Sequence, residues 1–123
     1  MNQIFLYIGS FFLLTWGIAH LFPTKSIVVG FGEISPDNKR IITMEWIVEG
    51  LTLIFIGILV LSVTIIDPGH AISKTVYWLS FIMLNTLAFV SLLTGFRIRI
   101  LPFKLCPVIF AVSSLLILLG GYL

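Results

Sequence analysis

The stretch Ile41–Ile66, IITMEWIVEGLTLIFIGILVLSVTII, decides the fold. A helix that spans a bilayer needs about 20 consecutive, mostly apolar residues. This run exceeds that length. In hydrocarbon every backbone N–H and C=O must be paired within the segment, so the run is a helix and not a strand.

Three further apolar runs have spanning length: Ile4–Phe22, Val76–Phe96 and Leu105–Leu123. The expectation is an all-α fold, an antiparallel bundle of four transmembrane helices at about 4–22, 37–66, 74–96 and 104–122. Together they form a single integral membrane domain covering residues 1–123. Composition agrees. The chain is 59% apolar and 10% charged, whereas a soluble domain carries about 25% charged residues. A globular protein this apolar cannot cover its own surface with polar groups, so lipid is part of its solvent.

The breaks between runs have local causes. Pro23 stops the first helix, because proline cannot continue the backbone ladder. Ser35-Pro36-Asp37-Asn38 reads as a helix start, with Ser35 as N-cap and Pro36 at the first position. Asp67-Pro68-Gly69 is a turn. Ser73 is placed to cap the third helix. Pro102 and Pro107 flank the entry to the fourth, with Pro107 in its first turn. The longest connection, Pro23 to Arg40, holds Ile27-Val28-Val29 and Phe31, and is expected on the membrane surface or packed back on the bundle. Met1-Asn2-Gln3 carries no basic residue, and no small-x-small site follows the first run. That run therefore reads as a retained helix and not a secretory signal.

Basic residues orient the helices. Lys25, Lys39 and Arg40 lie in the first connection, and Arg97, Arg99 and Lys104 in the third. The second has only Lys74. Positive residues stay cytoplasmic, which puts connections one and three inside and both termini outside. The expectation is a multi-pass protein of a plasma or inner membrane. The net charge of +2 gives no support for nucleic-acid binding. A lone cysteine, Cys106, rules out an intrachain disulfide; it reads as a small packing residue.

Ionisable residues inside a bilayer are costly, and each is a functional candidate. His20 ends the first helix, with Trp16 one turn deeper on the same face. Glu45, Glu49 and Thr52 share a face of the second helix. Arg97 and Arg99 close the third. Orientation puts His20, Glu45, Glu49 and Arg97 at similar depth, where they can form one polar pocket on the cytoplasmic side. Glu49 lies about 12 Å along the helix from Ile41. A carboxylate there either keeps its proton, finds a partner such as His20 or Arg97, or reaches headgroup water. Glu45 reads more as a headgroup-level charge, and Arg97 and Arg99 as phosphate contacts. Trp16 reads as packing and Trp46 as an interfacial belt residue. Asn85 in the third helix reads as a helix–helix hydrogen bond.

The candidate ligand-binding set is Glu49, His20, Glu45, Trp16, Asn85 and Arg97, with no catalytic residue assigned. His20, Glu45 and Glu49 do not have the spacing of a zinc motif, so no metal site is expected. No cofactor is identifiable. His70 lies at the opposite end from His20, so the two histidines cannot pair on a haem.

The first helix contains FLLTWGIAHLF, residues 12–22, and the second EGLTLIFIGIL, residues 49–59. In these segments the chain resembles the DoxX-like group of small four-helix membrane proteins, at Gly17, His20, Glu49, Gly50 and Gly57. The likeness covers the first half of the chain; the second half matches only by topology. It implies a left-handed four-helix bundle. Members of that group have been linked to quinone oxidoreductase complexes, and relatives act as membrane chaperones. A similar arrangement serves sterol isomerases of the EXPERA group, but this chain lacks a close match to their motifs and no catalytic role is carried over.

Three functions remain open at this point. The first is a protein that binds a lipid, sterol or quinone, or a membrane partner, in a bundle pocket near the cytoplasmic side. The second is an enzyme on a lipid-soluble substrate, with Glu49 and His20 as acid–base pair. The third is a small proton-coupled transporter in which Glu49 exchanges a proton for a cationic substrate; it would need to work as a homodimer, and the orientation bias speaks against a dual-topology one.

Overall fold

The computed structural model describes residues 2–94 and 101–122, with side chains described for all of these except Leu101, Pro102 and Phe103. Five helices form: α1 (Gln3–Leu21), α2 (Thr24–Val29), α3 (Pro36–Ile66), α4 (Ala71–Thr94) and α5 (Leu101–Tyr122). Of these, α1, α3, α4 and α5 are long and apolar enough to cross a membrane.

Their ends follow local chemistry. Asn2 caps α1, accepting a hydrogen bond from the Ile4 N–H at 3.3 Å. Ser35 caps α3 as its sequence suggests: its Oγ accepts from the Asn38 N–H at 3.1 Å, and Pro36 opens the helix. Two terminal assignments are corrected. Ser73 does not cap α4, which begins at Ala71. The Ile72 N–H donates instead to His70 Nδ1 at 3.1 Å, while the Ser73 hydroxyl turns back to the Asp67 carbonyl at 2.6 Å. Pro107 does not lie in the first turn of α5, which starts at Leu101 and carries the proline in its interior.

The connection between α1 and α3 is not irregular throughout. It holds α2, which packs on α3 and buries Val28.

Packing forms a ring. α1 lies along α3 on one side and α5 on the other; α5 lies along α4; α3 and α4 touch more lightly. The core is apolar, with Leu6, Leu13, Leu53, Val60, Tyr77, Leu84, Phe110 and Ile117 fully buried. Small residues set the α1–α3 distance. A Cβ built on Gly17 would lie 2.9 Å from the Gly50 carbonyl oxygen, and one on Gly50 would lie 2.6 Å from Leu21 Cδ2. Between helices in lipid, where no hydrophobic drive favours association, such close backbone approach supplies the dispersion contacts that hold a pair together.

Polar ties reinforce the other end. Thr64 of α3 and Tyr77 of α4 share a buried hydrogen bond of 2.9 Å, and the Tyr122 hydroxyl of α5 donates to the Lys74 carbonyl of α4 at 3.2 Å. Outward from the core the helices present Ile4, Phe11, Ile18, Phe55, Ile65, Leu79, Phe89 and Val108 to the surroundings. A water-facing protein does not expose apolar area on that scale. The chain is a multi-pass helical membrane protein.

Candidate functional site

The close pass of α1 against α3 builds the site. Gly17 and Gly50 meet, so the next turn of α1 and the preceding turn of α3 are forced together. That places His20 against Trp46 and Glu49. The His20 imidazole stacks on the Trp46 indole, with ring centroids 3.9 Å apart and planes 16° apart. Trp46 Nε1–H donates to the His20 carbonyl at 2.7 Å.

The last carbonyls of a helix lack partners within it. Here Trp46 takes that of His20, and the Thr24 hydroxyl takes that of Leu21 at 2.7 Å. Helix α1 is therefore terminated by side chains from α3, which it packs beside, and from α2, which follows it in the chain.

His20 Nε2 lies 3.5 Å from Glu49 Oε2. The His20 side chain is 5% exposed and that of Glu49 37%. The pair is therefore one-sided, with the imidazole facing the interior and the carboxylate facing out. His20 Nε2 is buried and makes no hydrogen bond of good geometry. Glu49 is the carboxyl group that faces it, a contact that is ionic only when His20 carries a proton. Deeper on the same face of α1, the Trp16 indole N–H is also buried, with the thiol of Cys106 from α5 against it.

Beside the pair, where α3 and α4 touch lightly, a cleft of about 540 Å³ opens. Glu45, Trp46, Glu49 and Thr52 line its α3 wall. Met83 and Leu87, one turn apart, line the α4 wall, and Ile27 and Phe31 close its α2 end. Small-molecule sites span about 300–1,000 Å³ and are mostly apolar with a few placed polar groups. The cleft falls within that size range and is mostly apolar, but it is open along one side.

The sequence candidates divide among these places. His20 and Glu49 meet as expected. Glu45 lines the same cleft but is exposed and makes no ion pair among the described residues. Trp16 sits on the His20 face and packs against the core. Asn85 is not part of this group. Its side-chain amide donates to Ser114 Oγ of α5 at 3.0 Å and to the Phe81 carbonyl at 2.8 Å, so it joins α4 to α5 while Met83 and Leu87 turn toward α3. Arg97 and Arg99 lie outside the described residues.

Sequence reasoning gave Trp46 to the membrane interface and so left it out of the site. The signal was available: Trp46, Glu49, Gly50, Leu53 and Gly57 recur at helical spacing, and they form the seam against α1. Among the described residues, no three His, Cys, Asp or Glu side chains gather as a metal site.

Compared with protein-family models, curated proteins and solved structures, the chain finds no match. The class defined by the fold, a small multi-pass helical membrane protein, is joined by one distinguishing feature: a carboxylate-bearing cleft next to a buried histidine.

Proposed function

We propose that the protein holds a hydrophobic small molecule of lipid, sterol or quinone type in the cleft between α3 and α4. The carrying observation is the cleft itself, about 540 Å³, apolar in most of its lining and edged by Glu45 and Glu49. A molecule dissolved in the bilayer meets an apolar wall, and the carboxylates orient it. The likeness to the DoxX-like group is compatible with this, since its five matching positions run along the α1–α3 seam and one of them, Glu49, also lines the cleft.

Native mass spectrometry of the gently extracted protein tests the reading. A retained hydrophobic molecule is expected, and it should be lost when Thr52→Phe and Leu87→Phe fill the cleft. The outward-facing Leu79→Phe should keep it. Retention that ignores the filling pair would refute the cleft as the site.

A second reading has its own observation, the His20–Glu49 contact at 3.5 Å. A carboxylate and an imidazole within reach of one another can pass a proton to or from a bound substrate. If they do so at carbon, protein incubated with membrane lipid in deuterated water will place deuterium in a lipid. Glu49→Gln should abolish that incorporation; incorporation that survives it would remove the acid–base role.

The basic residues of the described connections support an orientation with both termini outside and the His20–Glu49 end at the cytoplasmic face. A reporter fused after Leu123 that is active only outside the cytoplasm should be active. Activity of a reporter that folds only in the cytoplasm would reverse the orientation.

A further inference from the structure

We infer that the cleft selects a lipophilic amine: a membrane-dissolved molecule with an apolar body and one ammonium group. This deepens the binding reading above and rests on it.

The argument starts from charge. The ionisable side chains in the cleft lining are Glu45 and Glu49, both carboxylates. They lie one turn apart on α3, so their carboxyl groups sit side by side on one wall. Thr52 continues the same face one turn deeper, and the rest of the lining is apolar or aromatic. No lysine or arginine is among the described residues that line the cleft. An anionic molecule would face two carboxylates, with no basic residue among the described lining to receive it. A neutral molecule with a hydroxyl offers them a hydrogen bond but no opposite charge when it displaces water from them. An ammonium group satisfies them, and in a site of low effective dielectric the attraction is strengthened several-fold over that in water.

Two further observations favour the cation. Glu49 is approached from the interior by His20 at 3.5 Å and is 37% exposed. It therefore has a face left for a ligand on the cleft side. Trp46, one face of whose ring carries His20, lines the cleft beside both carboxylates, and indole is the aromatic ring that attracts cations best. His20 Nε2, buried and without a good hydrogen bond, lies behind Glu49, so the carboxylate sits between a buried polar nitrogen and the cleft.

The same reasoning weighs against a bilayer phospholipid. Its ammonium arrives with a phosphate attached, and among the described lining residues there is no basic partner for that phosphate.

The test uses three probes that share a tetradecyl chain and differ in charge: tetradecyltrimethylammonium, tetradecanol and tetradecyl phosphate. Each is titrated against the full-length protein in a neutral maltoside detergent, with adducts counted by native mass spectrometry. The ammonium should bind about ten-fold or more tighter than the alcohol, as expected for one added ion pair in a partly buried site. The phosphate should bind weakest. Glu45→Gln with Glu49→Gln should remove the preference while leaving tetradecanol binding in place, which also reports that the variant is folded.

If ammonium and alcohol bind equally and the cleft-filling pair Thr52→Phe and Leu87→Phe removes both, the amine inference falls and the binding reading stands. If no probe responds to the filling pair, both fall. Phosphatidylcholine competing as well as the simple ammonium would assign the cleft to a bilayer lipid and overturn the inference.

Discussion

Trp46 contributes two different contacts from one side chain. Its N–H closes the end of α1 through the His20 carbonyl, and its ring carries the His20 imidazole. A hydrogen bond of this kind is worth about 1 kcal/mol net, and an aromatic pair about 0.5–1.5 kcal/mol beyond its area. Trp46→Phe should therefore lower the melting temperature in detergent modestly, and Trp46→Leu, which removes ring and donor together, should lower it further. Equal melting of the two variants would mean that stacking contributes nothing. Asn85 provides the contrast. Asn85→Ala breaks the tie to Ser114, and single hydrogen bonds between membrane helices average about 0.6 kcal/mol. Its effect should be a small loss of stability with ligand retention unchanged, since Asn85 faces α5 and not the cleft.

At the scale of elements, α3 is the organiser. Its 31 residues extend about 46 Å at 1.5 Å per residue, well beyond a hydrocarbon core of about 30 Å. Its first turns, with Asp37, Asn38, Lys39 and Arg40, are polar and suit the region outside that core. Counting back about 20 residues from Ile66 brings the hydrocarbon edge near Trp46, so Glu45 falls at the headgroups and Glu49 about one turn inside. The seam between α3 and α1 depends on Gly17 and Gly50. Gly50→Leu should separate the helices, with a large fall in melting temperature and loss of the His20–Trp46 stack. Leu51→Phe, one residue away but facing outward, should be close to silent. Comparable effects from both would show that the seam is not where α1 and α3 hold together.

The helices themselves were legible because their signals are local: run length, the Ser35-Pro36 start, and the Asp67-Pro68-Gly69 turn. The meeting of His20 with Glu49 was legible too, through depth along the chain. Facing was harder to read. In lipid both the core and the outside are apolar, so the pattern that separates the two faces of a soluble helix is nearly absent. Hence the sequence groups Asn85 with the site although it faces α5, and it does not reveal that Trp46, at the hydrocarbon edge, stacks on His20. The start of α4 and the place of Pro107 were missed because His70 supplies a cap that sequence patterns give to Ser73, and because α5 begins before its apolar run.

For the whole molecule, the uneven ring matters most. Three of its seams, α1–α3, α1–α5 and α4–α5, are long and close. The fourth, α3–α4, is open enough to leave the cleft, and Glu49 edges it while His20 stands behind. The central claim is that this gap takes a molecule from the membrane. Trp46 lines it and can report on it. The measurement is fluorescence of protein carrying Trp16→Phe and Trp78→Phe, in which Trp46 alone emits, titrated with a brominated hydrophobic ligand in lipid nanodiscs. Occupation of the cleft predicts quenching that saturates, and that disappears when Thr52→Phe and Leu87→Phe fill it. Quenching that rises linearly with ligand and is indifferent to the filling pair would mean only that the tryptophan meets bulk lipid, and would contradict the account.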